Sequence, residues 1–143
     1  MSKPFTDGNK HKILINDTAA RKRYHARDIW WCTLGLNVGF EQDGTGKEYE
    51  RPVLILKGFS KEVCLVVPLT TSLKNNSYHI SLGRVAGKEA SAILSQLRLI
   101  DTKRLINKIG VVEKPLFESI KKPLLASSNF LFSLFRASPK AFV

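Results

Sequence analysis

The chain has 143 residues with 23 Lys and Arg against 12 Asp and Glu, a formal net charge of +11. That length suits one domain, since a chain of this size buries roughly 68–70% of its unfolded surface and closes a core without staples. The charge favours an anionic partner, whether nucleic acid, an anionic membrane surface or an acidic protein tail, and by itself does not choose among them. The longest apolar run, Val63 to Leu69, is interrupted by Pro68 and falls far short of the ~18 residues of a membrane span. The N-terminal apolar patch, Ile13 to Ile15, is too short for a signal peptide, and a cytoplasmic protein is expected. Cys32 and Cys64 sit in apolar strand-like runs and read as buried thiols. With no Cys-x-x-Cys and with His11, His25 and His79 scattered, neither a metal site nor a cofactor is expected.

Residues 1–26 read as a basic extension, seven basic residues against two acidic through Arg27. Residues 1–12 have a tail-like composition, and Asp17 can cap a short helix over "TAARKRYHA". Strands are predicted at Asp28–Leu34, Pro52–Phe59, Val63–Leu69, Tyr78–Leu82 and Ala92–Ile100, each rich in Val, Ile, Leu or Trp. The turn signal "KGFSKE" makes the second and third an antiparallel hairpin. Between the first two lies a long loop carrying Gly35, Gly39, Gly44 and Gly46, and long Gly-rich loops in compact domains are more often functional than structural. Asp101 can cap a short helix "TKRLI", "NKIGVV" reads as a further strand, and a helix begins near Pro115 that Pro123 should kink or end. Beyond it, Leu124, Leu125, Phe130, Leu131, Leu134 and Phe135 form an apolar face for packing on the barrel or a second subunit. Many short strands with one or two helices predict a mainly β, α+β fold, a small curved barrel.

Candidate chemistry gathers at three places. Arg51 heads a strand and Pro52 fixes the backbone behind it; a guanidinium there can grip two phosphoryl oxygens, although a surface arginine at a strand start would look the same. Thr70, Thr71 and Ser72 follow a strand, where hydroxyls either donate to phosphate or satisfy their own turn. Gln96 and Arg98, at alternate positions of the predicted fifth strand, should share a face. Trp30 and Trp31, adjacent in a strand, should point one inward and one outward.

Three segments, "GFEQDGTGKEYERPVLIL", "VVPLTTSLK" and "SQLRLIDTKRL", resemble in order the PemK/MazF toxins of bacterial toxin–antitoxin pairs, small homodimeric ribonucleases that cut single-stranded RNA. The match runs from about Arg27 to about Ala126, leaving residues 1–26 and an apolar tail at 127–143 outside it. The resemblance implies an SH3-like barrel with a C-terminal helix, of the type shared with the CcdB toxins, acting as the toxin of a type II system. It implies a homodimer, a cognate antitoxin over the same groove, and metal-independent cleavage by 2′-hydroxyl attack, leaving 2′,3′-cyclic phosphate and 5′-hydroxyl ends. It places Arg51 and Thr70 at the scissile phosphate and Glu41 as the proton acceptor, with Asp43, Glu48 and Glu50 sharing its chemistry nearby. RNA contacts are then expected from Phe40, Gln42, Thr71, Ser72, Lys74, Gln96 and Arg98. Phe40 replaces a histidine of some relatives and offers a base-stacking face, whereas Ser95 replaces an acid. Two other readings are a toxin of this fold that binds a topoisomerase and an RNA-binding module without turnover.

Overall fold

The structure, a computed structural model, describes residues 5–18, 20–34, 50–72 and 78–127. After helix α1 (Phe5–Thr18) come strands β1 (Asp28–Thr33), β2 (Glu50–Gly58), β3 (Val63–Thr70), β4 (His79–Val85), β5 (Lys88–Ile93), β6 (Arg98–Asp101) and β7 (Leu105–Val111), then helix α2 (Lys114–Ser127). The strands form one antiparallel sheet in the order β4-β5-β3-β2-β1-β7, with β6 also paired to β3.

Both faces of the central strands are buried, which is why they read as unbroken apolar runs. On one face Ile29, Leu54, Leu56, Leu65, Val67 and Leu69 pack under Phe117, Ile120 and Leu124 of α2. Those three helical residues recur at the three- and four-residue spacing that lines one helix face. On the other face the sheet curls around Trp30, Cys32, Val53, Ile55, Cys64 and Val66, closed by Ile100 and Leu105 and flanked by Tyr24. Trp30 is the inward tryptophan, buried with its indole N–H donating to Asp28 Oδ2 at 3.2 Å; Trp31 is half-buried on the opposite side. Cys32 and Cys64 are buried free thiols, and burial pushes each up to about 12.

The expected fifth strand is two strands separated by a 3-10 turn, Leu94–Gln96. The reason lies in β3. From Leu69↔Ala92 to Val66↔Arg98, β3 advances three residues (69 to 66) while its partner advances six (92 to 98), and the surplus three form the turn. Gln96 and Arg98 therefore do not share one continuous strand face. The β4–β5 hairpin extends beyond the expected Tyr78–Leu82, turning at Ala86 (φ 51°) and Gly87 (φ 81°), consecutive left-handed residues of the kind that suits the twist of a hairpin.

Asp101 does cap the next turn, its Oδ1 accepting from the Lys103 N–H at 2.8 Å, but the turn is 3-10 over Thr102–Arg104 and Leu105 already belongs to β7. Helix α2 runs through Pro123 instead of ending there, and Leu124 beyond it is anchored in the core. At the N-terminus the helix spans Phe5–Thr18, not the stretch from Asp17, and residues 20–25 are non-helical. Phe130, Leu131, Leu134 and Phe135 lie outside the described residues.

Candidate active site

Arg51 and Thr70 meet because of strand register. β2 and β3 pair Val53 with Pro68 at the end of the hairpin ladder, and the same register carried two residues further (53 to 51, 68 to 70) sets Arg51 across from Thr70. The Arg51 Nη1 donates to the carbonyl of Leu69 at 3.0 Å, which ties the guanidinium to the residue before Thr70. Thr70 Oγ1 accepts from the backbone N–H of Ser72 at 3.1 Å, a local bond that turns the chain as it leaves β3. With one lone pair so engaged, the hydroxyl hydrogen remains available as a donor.

Around this pair is a cleft of about 420 Å³ lined by Trp31, Arg51, Pro52, Leu69 and Thr70 to Ser72, with Val85, Ala86, Lys88 and Ala90 of the β4–β5 hairpin opposite. Trp31 reaches it because β1 pairs Trp31 with Pro52, and the preceding alternation has already sent Trp30 into the core. No carboxylate lines the cleft among the described residues, so its fixed charges, Arg51 and Lys88, are both positive. Such a site can bind an anion and stabilise negative charge that grows during a reaction.

Of the residues singled out in the sequence, the structure brings together Arg51, Thr70, Thr71 and Ser72. Gln96 lies in the 3-10 turn and Arg98 opens β6, and neither lines the cleft. The Arg98 charge acts instead on Cys32 and Arg104, whose guanidinium donates to Thr33 O at 2.9 Å and is lowered in pKa chiefly by its burial. Phe40, Glu41, Gln42 and Lys74 lie outside the described residues. Trp31 and Lys88 were missed by sequence reasoning; strand alternation already predicted an outward tryptophan, but Lys88 depends on a hairpin with no Asn-Gly signal.

The sequence profile of PemK-like, MazF-like toxins of type II toxin–antitoxin systems matches residues 25–127. The chain belongs to this family. Among solved structures, MazF from Deinococcus radiodurans aligns with a TM-score of 0.61 at 17% identity, covering 73% of this chain and 96% of that one. A MazF toxin of Mycobacterium tuberculosis aligns at 0.55 and 16% identity, over 70% and 94% of the two chains. An endoribonuclease in complex with its cognate antitoxin, from a mycobacterial species, aligns at 0.54 and 14%, over 73% and 94%. These likenesses establish the MazF fold: a curled antiparallel sheet with a C-terminal helix. No curated protein matches the sequence. No helix among the described residues is long and apolar enough to cross a membrane.

Proposed function

We propose that this protein is the toxin of a type II pair and acts in the cytoplasm as a metal-independent endoribonuclease on single-stranded RNA. The observation that carries the reading is the convergence of Arg51 with Thr70, across from one another just beyond the β2–β3 ladder, in a cleft whose charged side chains among the described residues are both cationic. Single-stranded RNA suits such a cleft because its 2′-hydroxyl is free to swing in line with the adjacent phosphorus and its bases can splay onto side chains.

In this mechanism the 2′-oxygen attacks phosphorus, its proton passes to a base, and the 5′-oxygen leaves with a proton from an acid, giving 2′,3′-cyclic phosphate and 5′-hydroxyl ends. Arg51 holds the phosphoryl oxygens, and its grip strengthens as charge accumulates on them. Its Leu69 hydrogen bond fixes one guanidinium nitrogen at the strand end. Thr70 donates its hydroxyl to a phosphoryl oxygen while Ser72 N–H orients the oxygen that carries it. Glu41 serves as the base. Thr71 and Ser72 line the same cleft, and together with Phe40, Gln42, Lys74, Gln96 and Arg98 they contact flanking nucleotides; the Trp31 ring supplies a stacking wall.

The family also supports a homodimer held in check by a cognate antitoxin, an acidic or amphipathic chain laid over the cationic cleft. Expression of wild type and Arg51→Ala in cells without the antitoxin, with RNA integrity followed, tests the assignment. Wild type should degrade RNA and arrest growth, and Arg51→Ala should do neither. Arrest that survives the substitution would contradict a ribonuclease and favour a binding toxin.

A further inference from the structure

Residues 20–26 run over the barrel from Leu105 towards the β2–β3 turn and place several cations around one cavity beside that turn. The segment makes no regular structure, yet it is pinned at four points. Arg21 Nη2 pairs with Asp101 Oδ2 at 2.9 Å, Lys22 Nζ donates to Leu105 O at 3.2 Å, the Tyr24 hydroxyl donates to Ser60 O at 2.5 Å with Val63 O 3.2 Å away, and just past the segment Arg27 N–H donates to Ile55 O at 2.9 Å. Tyr24 fills space above Gly58 that a side chain there would occupy. Held this way, Arg21, Lys22, Arg23 and His25 surround, with Lys61 of the β2–β3 turn, an open cavity of about 450 Å³ that no carboxylate lines among the described residues.

We infer that this cavity is a second phosphate-binding surface, contacting the RNA backbone away from the point of cleavage. The inference rests on the ribonuclease reading but concerns Arg21, Lys22 and Arg23, which precede the family match at 25–127, together with His25 and Lys61 inside it. Arg21 and Lys22 spend donors on anchoring, whereas the side chains of Arg23 and Lys61 have no ion-pair partner among the described residues. A merely solvated basic tail would need no half-buried tyrosine and no glycine opposite it. This arrangement presents its charges from a fixed scaffold, which reduces the ordering that binding requires.

The lining also favours a nucleic acid over an acidic polypeptide. Among the described residues it contains no Val, Leu, Ile or Phe. An amphipathic segment docks through apolar anchors, whereas a phosphodiester chain asks only for charge and hydrogen-bond donors. Along β2 the separation from Arg51 to Gly58 is seven residues (58 less 51), about 23 Å at the ~3.3 Å rise of a strand. A strand seated in the cleft thus has to be several nucleotides long to touch both places. Short substrates would feel the cleft alone.

The experiment uses 2′-O-methyl RNA, which cannot undergo 2′-hydroxyl attack, at two lengths, roughly 4 and roughly 16 nucleotides, the span of single-strand sites on small barrels. Binding is followed by fluorescence anisotropy against salt for the full chain and for Arg23→Gln/Lys61→Gln, which leaves every anchor in place. The long oligomer should bind the variant several-fold more weakly, with the slope of log affinity on log salt reduced by about 1.4, or ~0.7 for each lost single-strand phosphate contact. The short oligomer should bind both proteins alike, and the cut sites on natural RNA should be unchanged. Equal affinity and slope for the long oligomer would overturn the second surface, as would weakened binding of an acidic peptide with RNA binding intact. Failure of the wild type to bind either oligomer would instead overturn the ribonuclease reading on which the inference stands.

Discussion

The Arg51 guanidinium donates to the backbone carbonyl of Leu69, so the charge that faces the cleft is fixed to the strand that ends in Thr70. One strand positions the cation, the next positions the hydroxyl, and their register sets the spacing between the two.

A bidentate role predicts that charge at residue 51 is insufficient. Arg51→Lys retains the positive charge but loses the planar fork, and it should bind uncleavable RNA nearly as well as wild type. Its single-turnover cleavage rate should nonetheless fall by about 10²-fold or more, the order seen when one donor to a developing oxyanion is removed. Rates within a few-fold of wild type would mean that Arg51 only attracts the strand.

Thr70 offers a sharper contrast. Thr70→Ser keeps the hydroxyl and should cleave within a few-fold of wild type, whereas Thr70→Val keeps the shape and should lose roughly 10²–10³ in rate. The valine also leaves the exposed Ser72 N–H without its acceptor, and the neighbouring turn meets water instead. Thermal unfolding should thus change little while activity collapses. Comparable losses in both measurements would make Thr70 a structural residue.

Tyr24 and Gly58 should be energetically coupled. A β-carbon on Gly58 would fall well inside contact distance of the Tyr24 ring, so Gly58→Ala must displace the ring and its hydrogen bonds to Ser60 and Val63. Once Tyr24→Ala has vacated the site, the same substitution should cost little more. A double-mutant cycle by denaturant unfolding should give a coupling of about 0.5–3 kcal/mol, the range for residues in contact. Strict additivity would show that the basic segment does not dock on the barrel.

The fold should weaken at alkaline pH. Burial raises Cys32 and Cys64 from 9.0 to about 12 and Tyr24 from 10.0 to about 12. Between those limits the unfolded chain releases protons that the folded chain retains, so the unfolded state gains. This contribution to stability is complete below the unfolded values, near pH 9, and is lost as pH rises towards 12. Lys57, lowered by burial and by the nearby Lys121, acts in the opposite sense. The denaturation midpoint should fall steadily above pH 9, and less so in Cys64→Ala; a flat profile would contradict the buried thiols.

The sequence was most informative where local pattern and tertiary environment agree. β2 and β3 were legible as apolar runs because both of their faces are buried; Arg51 and Thr70, which strand position alone leaves indistinguishable from a surface arginine and a turn threonine, stood out only through the family resemblance. "AILSQLRLI" was read as one strand because every residue in it tolerates extended backbone; its break arises from β3 serving two partners, which no local window records. The β4–β5 hairpin was overlooked because Ala86 adopts a positive φ that asparagine or glycine usually signals. Helix α1 was overlooked because Gly8, Asn9 and Asn16 are weak helix formers, and its docking near Thr102–Arg104, with Lys103 Nζ donating to Asn16 O at 2.9 Å, is a tertiary contact.

The most direct test of the central claim is the chemistry of the cut. Antitoxin-free protein is incubated in excess chelator with a single-stranded RNA and with the same strand carrying one 2′-deoxynucleotide at the mapped cleavage position, and the fragment ends are identified by mass spectrometry. The account predicts cleavage of the all-RNA strand to 2′,3′-cyclic phosphate and 5′-hydroxyl ends, none at the deoxy position, and none anywhere with Arg51→Ala. Cleavage of the deoxy-substituted position, or 5′-phosphate ends, would contradict it.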